Sequence, residues 1–247
     1  MKKIAALGRL IFSFSIIAFG VQQFIFGQFL TVFIPSWPKW APAHFFFIYF
    51  FAFFLIITGA VIVFDIKSRI FCLLFAAISI LMLLIFHLPY QIAHSPQPLL
   101  MWADALTIFA LAGCALILTR SHRLEIVGRI FLSILLITFG SEHFLYNHFV
   151  AALVPSWISG HAFWTYFAGL ALIASGIGIL TGIWLKQASL ALGIMLLIWA
   201  FILHIPRAIA DPYSGFGGEW SSVFEALAFA GIAFVIAGDA SEKKHFK

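Results

Sequence analysis

The residues able to do chemistry are few and fall in the second half of the chain. Glu142 and His143 are adjacent, and His204-Ile205-Pro206-Arg207 closes the apolar run from Leu190 to Leu203. Glu219 and Glu225 follow, six residues apart, and His161 opens another apolar stretch. Carboxylates and imidazoles together suit three kinds of chemistry. They can form a charge-compensated hydrogen-bond cluster, bind and protonate a polar head group such as a quinone carbonyl, or ligate zinc or iron. The metal reading is the weakest, because the Glu-x-x-His spacing of bundle di-iron sites is missing. Arg207 is expected to pair with Glu219 or Glu225 beside His204.

The first half holds a reduced version of the same set. Phe86-His87-Leu88-Pro89 matches Leu203-His204-Ile205-Pro206, and Gly8-Arg9 matches Gly128-Arg129. Phe19-Gly20 matches Phe139-Gly140, Pro35-Ser36-Trp37 matches Pro155-Ser156-Trp157, and His44 matches His161. Gly59 matches Gly176, and Ala112-Gly113 matches Ala230-Gly231. The chain reads as a tandem duplication, with units 1–120 and 121–247. In the first unit Gln22-Gln23 stand for Glu142-His143, Tyr90 for Arg207, Met101 for Glu219 and Thr107 for Glu225. Asp104, opposite Ser222, is new there. With His44 and His87 it makes a candidate satellite site, for which a structural hydrogen bond is the expected role.

These groups need elements to carry them, and composition says which kind. The 247 residues are 64% hydrophobic and 9% charged, with a mean hydropathy of +1.10. Soluble domains carry about 25% charged residues. Apolar runs of about 20 residues cross a bilayer as helices, and a bilayer demands that backbone groups be satisfied within each segment. The reading is an all-α polytopic membrane protein with eight transmembrane helices at about 5–26, 44–64, 69–88, 99–118, 126–147, 161–181, 187–205 and 220–238. They form two tandem four-helix bundles related by a pseudo-two-fold axis along the membrane normal. The first helix imitates a signal peptide, but its counterpart in mid-chain predicts that it is retained.

Orientation follows from the basic residues. Lys2, Lys3, Arg9, Lys67, Arg69, Arg120, Arg123, Arg129, Lys186, Lys243, Lys244 and Lys247 fall on one side, and only Lys39 and Arg207 on the other. The positive-inside rule places both termini in the cytoplasm, in what is expected to be a bacterial inner (plasma) membrane. The candidate site then lies in the outer leaflet. A formal charge of +5 distributed in this way is no nucleic-acid footprint. Cys72 and Cys114 sit far apart inside apolar runs and read as packing residues.

Gly-Arg at the start of a unit, Phe-Gly-x-x-x-Phe late in its first helix and a Pro-x-Trp elbow resemble the DoxX-like membrane proteins. The residues are Gly128-Arg129, Phe139-Gly140-Ser141-Glu142-His143-Phe144 and Pro155-Ser156-Trp157, with Gly8-Arg9, Phe19-Gly20-Val21-Gln22-Gln23-Phe24 and Pro35-Ser36-Trp37 in the first unit. The resemblance implies a four-helix unit, here fused as a pair, and a link to quinone-coupled thiosulfate oxidation or membrane oxidoreductase complexes. It supplies no catalytic motif. The expected function is a subunit of a quinone-linked or other membrane redox system, whose partners are the lipid bilayer and a redox subunit or quinone. A non-catalytic scaffold and a carrier for a small hydrophobic or anionic solute are the alternatives.

Overall fold

The structure, a computed structural model, describes residues 2–37, 44–94 and 99–242. Pro38, Lys39 and Trp40 of the first elbow and the basic residues Lys243, Lys244 and Lys247 lie outside the described residues. Among the described residues every regular element is a helix. We label them α1 (Lys2–Phe26), α2 (His44–Phe64), α3 (Ser68–His94), α4 (Ala103–Leu118), α5 (His122–Leu145), α6 (Asn147–Leu153), α7 (His161–Thr181), α8 (Leu185–Ala210) and α9 (Gly218–Glu242).

Among the described residues seven helices are long and apolar enough to cross a membrane: α1, α2, α3, α5, α7, α8 and α9. The shorter α4 is extended at its start by a 3-10 turn, Leu99–Trp102. Most of α4 is buried, as is 78% of the most apolar window of α9. These two helices form the middle of the molecule, and the other long helices enclose them.

Pairing runs across the two halves. α1 packs chiefly on α9 and α2, whereas α4 packs on α5 and α3. α5 also packs on α7, α8 on α9, and α4 meets α9 at the centre. The first helix of each half therefore lies against the last helix of the other, so two separately closed bundles do not describe the packing. Small residues permit these approaches, as in membrane helix pairs generally. A Cβ on Gly231 would lie 2.6 Å from the Gly8 carbonyl oxygen and 2.7 Å from the Phe12 nitrogen. One on Gly113 would lie 2.6 Å from Phe131 Cβ and 2.7 Å from the Gly128 carbonyl oxygen.

The expectation that two helices end at His-x-Pro is corrected. α3 and α8 pass through Pro89 and Pro206 and end at His94 and Ala210. Proline lacks the amide hydrogen, and its ring collides with the carbonyl one turn back. The chain absorbs this by widening into a π turn, at Leu83–His87 in α3 and Ala200–His204 in α8. Each π turn ends on the histidine two residues before the proline. The fifth helix ends two residues earlier than expected. It stops at Leu145, and α6 follows where a loop was anticipated.

Candidate functional site

A cavity of about 420 Å³ opens among α4, α5, α6, α7, α8 and α9. Its polar lining is Thr31, Asp104, Thr107, Glu142, His143, Thr165, His204, Ser221, Ser222 and Glu225. Its walls are Leu, Val, Met and Phe side chains with Trp164 and Trp199. The indole rings of those two tryptophans meet edge to face, with centroids 6.2 Å apart. An apolar chamber of this size with a few convergent polar groups has the form of a small-molecule site.

Each polar group is placed by helical spacing. Leu135, Phe139, Glu142 and His143 recur every three to four residues and so share one face of α5. Asp104 and Thr107 do the same on α4, and Ser221, Ser222 and Glu225 on α9. The π turn presents Leu203 and His204 from α8.

The hydrogen bonding within the cavity is incomplete. Glu142 is 5% exposed, and its Oε1 has no hydrogen-bond partner. The Nδ1 atom of His204 is also buried without one. His143 is committed, its Nδ1 lying 2.7 Å from the Phe139 carbonyl oxygen one turn earlier. Thr31 sits against the Asp104 carboxyl. Three carboxyls and two imidazoles thus share a cavity whose lining contains no lysine or arginine. Among the described residues no group of three or more His, Cys, Asp or Glu converges as metal ligands would.

The structure therefore brings Glu142, His143, His204 and Glu225 together with Asp104 and places Arg207, Glu219 and His161 outside the lining. Arg207 pairs with Glu219 rather than Glu225, Nη2 donating to Oε1 at 2.5 Å. The pair is outside the cavity lining and partly exposed, at 33% and 25%. The reason is the continued helix, which carries Arg207 past the cavity to the first turn of α9, where Glu219 also meets the positive end of the helix dipole. His161 heads α7, half-buried and outside the lining; Thr165 donates to its carbonyl oxygen.

The satellite grouping in the first half does not form. His87 is fully buried, with Nε2 3.2 Å from the carbonyl oxygens of both Val32 and Phe33, so it ties α3 to the elbow. His44 packs at a tilt against the rings of Phe29 and Trp37. Asp104 belongs instead to the cavity of the second half. Thr31, Thr107, Thr165, Ser221, Ser222, Trp164 and Trp199 are lining residues that sequence reading missed. Their signal was available in the three-to-four-residue spacing of Asp104 with Thr107 and of Ser221 and Ser222 with Glu225.

In the first half aromatic rings pack against one another at the corresponding positions. Phe33 packs edge to face on Phe19 at 5.5 Å and on Phe51 at 5.0 Å. Trp37 stacks with Phe86 at 6.0 Å. On the pairing of halves read from the sequence, Leu153, Ala168 and Leu203 stand where Phe33, Phe51 and Phe86 do, and all three smaller side chains line the cavity. The glutamines that replace Glu142 and His143 are bonded through their amide nitrogens, while Gln23 Oε1 has no partner. Gln22 Nε2 donates to the Gly217 carbonyl oxygen at 2.8 Å and to Ser221 Oγ at 3.0 Å, and Gln23 Nε2 to the Ile48 carbonyl oxygen at 2.7 Å.

No curated protein and no solved structure matches the chain. Residues 124–205 match the family model for DoxX, a stretch that runs from the start of α5 through the π turn of α8 and supplies Glu142, His143 and His204. That stretch is DoxX-like, in a chain whose described helices are long and apolar enough to make it an integral membrane protein.

Proposed function

We propose that this chain is the membrane-embedded subunit of a quinone-linked redox system and that the cavity between α4, α5, α8 and α9 is its quinone site. The observation that carries the reading is the combination of an apolar chamber with unsatisfied polar atoms inside it, the Glu142 carboxyl oxygen and His204 Nδ1. A quinone head group is a flat apolar ring with two carbonyl acceptors. Glu142 and His204 would hold those carbonyls, and Trp164, Trp199, Phe139 and Phe149 would flank the ring. When bound, the quinone would accept two electrons and two protons. An anionic solute finds no support, since no cation lines the chamber and Arg207 is engaged by Glu219.

The same reading takes α4, with its leading 3-10 turn, as an eighth span enclosed by the other seven. The halves are then related by a pseudo-two-fold axis along the membrane normal. Both termini are cytoplasmic, in a bacterial inner membrane, and the cavity lies in the outer leaflet. The supports are the equivalent pairings of α1 with α9 and α5 with α4, the two equivalent π turns and the basic bias.

Tryptophan fluorescence tests the site. Trp164 and Trp199 line the chamber, so a short-chain quinone titrated into protein in lipid nanodiscs should quench their emission saturably. Trp164→Phe with Trp199→Phe should remove that saturable component. Quenching that stays linear in quinone, as collisions in the bilayer would give, leaves the scaffold role instead.

A further inference from the structure

We propose that the cavity holds protons on Asp104, Glu142 and Glu225 as a built-in site, and that taking up a hydrogen-bond-accepting ligand is linked to their protonation. The linkage deepens the quinone reading and rests on it; the proton site itself does not.

The argument begins with the inventory of groups facing the three acids. From α4 comes Asp104, from α5 Glu142 and His143, from the π turn His204, and from α9 Glu225. α6 and α7 contribute no titratable side chain to the lining, and α8 none beyond His204. The nearest guanidinium, on Arg207, is bonded to Glu219. Three carboxylates with no cation among them repel one another, and each pays a desolvation cost in a chamber walled by apolar side chains. Neutralisation by protons resolves both costs without a cation. It also turns acceptor-only carboxylates into O–H donors.

The unpartnered atoms facing the cavity, Glu142 Oε1 and His204 Nδ1, point the same way. Glu142 is 5% exposed, faces the cavity, and has an oxygen without any partner among the described residues. A buried ionised carboxylate is stabilised only by donors, whereas a protonated one offers a hydrogen bond to whatever enters. The pattern across the halves fits. The residues paired with Glu142 and Glu225 are Gln22 and Thr107, both neutral, and Gln22 has its amide bonded to the Gly217 carbonyl oxygen and Ser221 Oγ. Asp104 supplies one of the three from the first half, so the proton site is complete only when both halves are present.

The test has two arms. In the first, ligand-free protein in nanodiscs is titrated with acid and base while the carboxyl stretch is followed by infrared difference spectroscopy. Surface carboxyls ionise near pH 4, so a protonated-carboxyl band that persists at neutral pH reports buried acids. The expected result is such a band, reduced by about a third in each of Asp104→Asn, Glu142→Gln and Glu225→Gln. Absence of the band at neutral pH, or a band untouched by all three substitutions, overturns the proposal. Each variant is neutral and near-isosteric, and one that elutes as aggregate is replaced by measuring the other two. In the second arm, quinone affinity from tryptophan quenching is measured against pH. One linked proton weakens binding by about tenfold per pH unit above the site's titration. An affinity that does not vary with pH overturns the linkage. If no quinone binds at any pH, the quinone reading fails while the infrared result still decides whether the acids hold protons.

Discussion

Replacing Glu142 with leucine should stabilise the protein while it destroys the site. The side chain is 5% exposed and one of its oxygens has no partner. A buried polar group left unsatisfied costs about 1–3 kcal/mol. Exchanging it for an apolar group of similar size removes that cost and adds apolar contact with the neighbouring walls. The expected gain is about 1–3 kcal/mol, and at about 2–4 °C per kcal/mol for a protein of this size the unfolding temperature rises by roughly 2–12 °C. The assay is thermal unfolding in detergent of wild type, Glu142→Leu and Glu142→Gln, with quinone quenching measured on the same samples. Glu142→Gln keeps a polar group in place and should stay within about 1 kcal/mol of wild type. A loss of more than about 1 kcal/mol in Glu142→Leu would refute the reasoning. It would mean that the carboxyl is fully bonded and serves the fold, as a purely structural cluster requires.

Three further outcomes follow. Arg207→Ala should cost about 1–2 kcal/mol in thermal unfolding, below the roughly 3–5 of a fully buried pair, because the partners are 33% and 25% exposed; a Glu219→Ala cycle measures the pair itself. Asp65, in the turn between α2 and α3, is bonded to Ser68 at 2.7 Å and to Arg120 at 2.6 Å. Those two bonds, Ser68 first, hold its carboxyl below the ordinary value of 3.8. The folded value lies below the unfolded one, so its contribution is present above pH 3.8 and is lost as pH falls through the folded value. The pair is half-exposed, so Asp65→Asn should remove no more than about 1 kcal/mol at neutral pH and flatten that acid limb in a pH series of unfolding temperatures. With both termini cytoplasmic, a cysteine at Ser214 should react with an impermeant maleimide added to intact cells, and one at Ser121 should not; the opposite pattern inverts the topology.

Much of the fold was legible because membrane helices announce themselves by length and hydropathy. The expected spans 44–64 and 161–181 coincide with α2 and α7, and α7 is bounded by Gly160 and Gly182 in the left-handed conformation. The ends of α3 and α8 were not legible. A proline two residues after a histidine reads as a stop, and only packing decides that the backbone widens into a π turn and continues. That single difference carried Arg207 away from the cavity. Glu142, His143, His204 and Glu225 were legible as one site because buried ionisable groups in lipid need partners. Asp104 was misplaced because sequence distance assigned it to its own half, whereas α4 meets α9 across the centre. A cavity among the fifth, seventh and eighth helices was expected, but its extent was not legible, since Leu153, Ala168 and Leu203 stand where Phe33, Phe51 and Phe86 do, a difference that matters only once those positions converge.

The central claim is that this chamber holds a quinone. Leu153→Phe with Ala168→Phe installs the first half's rings in the second and should close it. Native mass spectrometry of both proteins, purified in mild detergent, should find quinone bound to wild type and none on the filled variant. Equal quinone on the two proteins, or none on wild type after supplementation with quinone, would contradict the account.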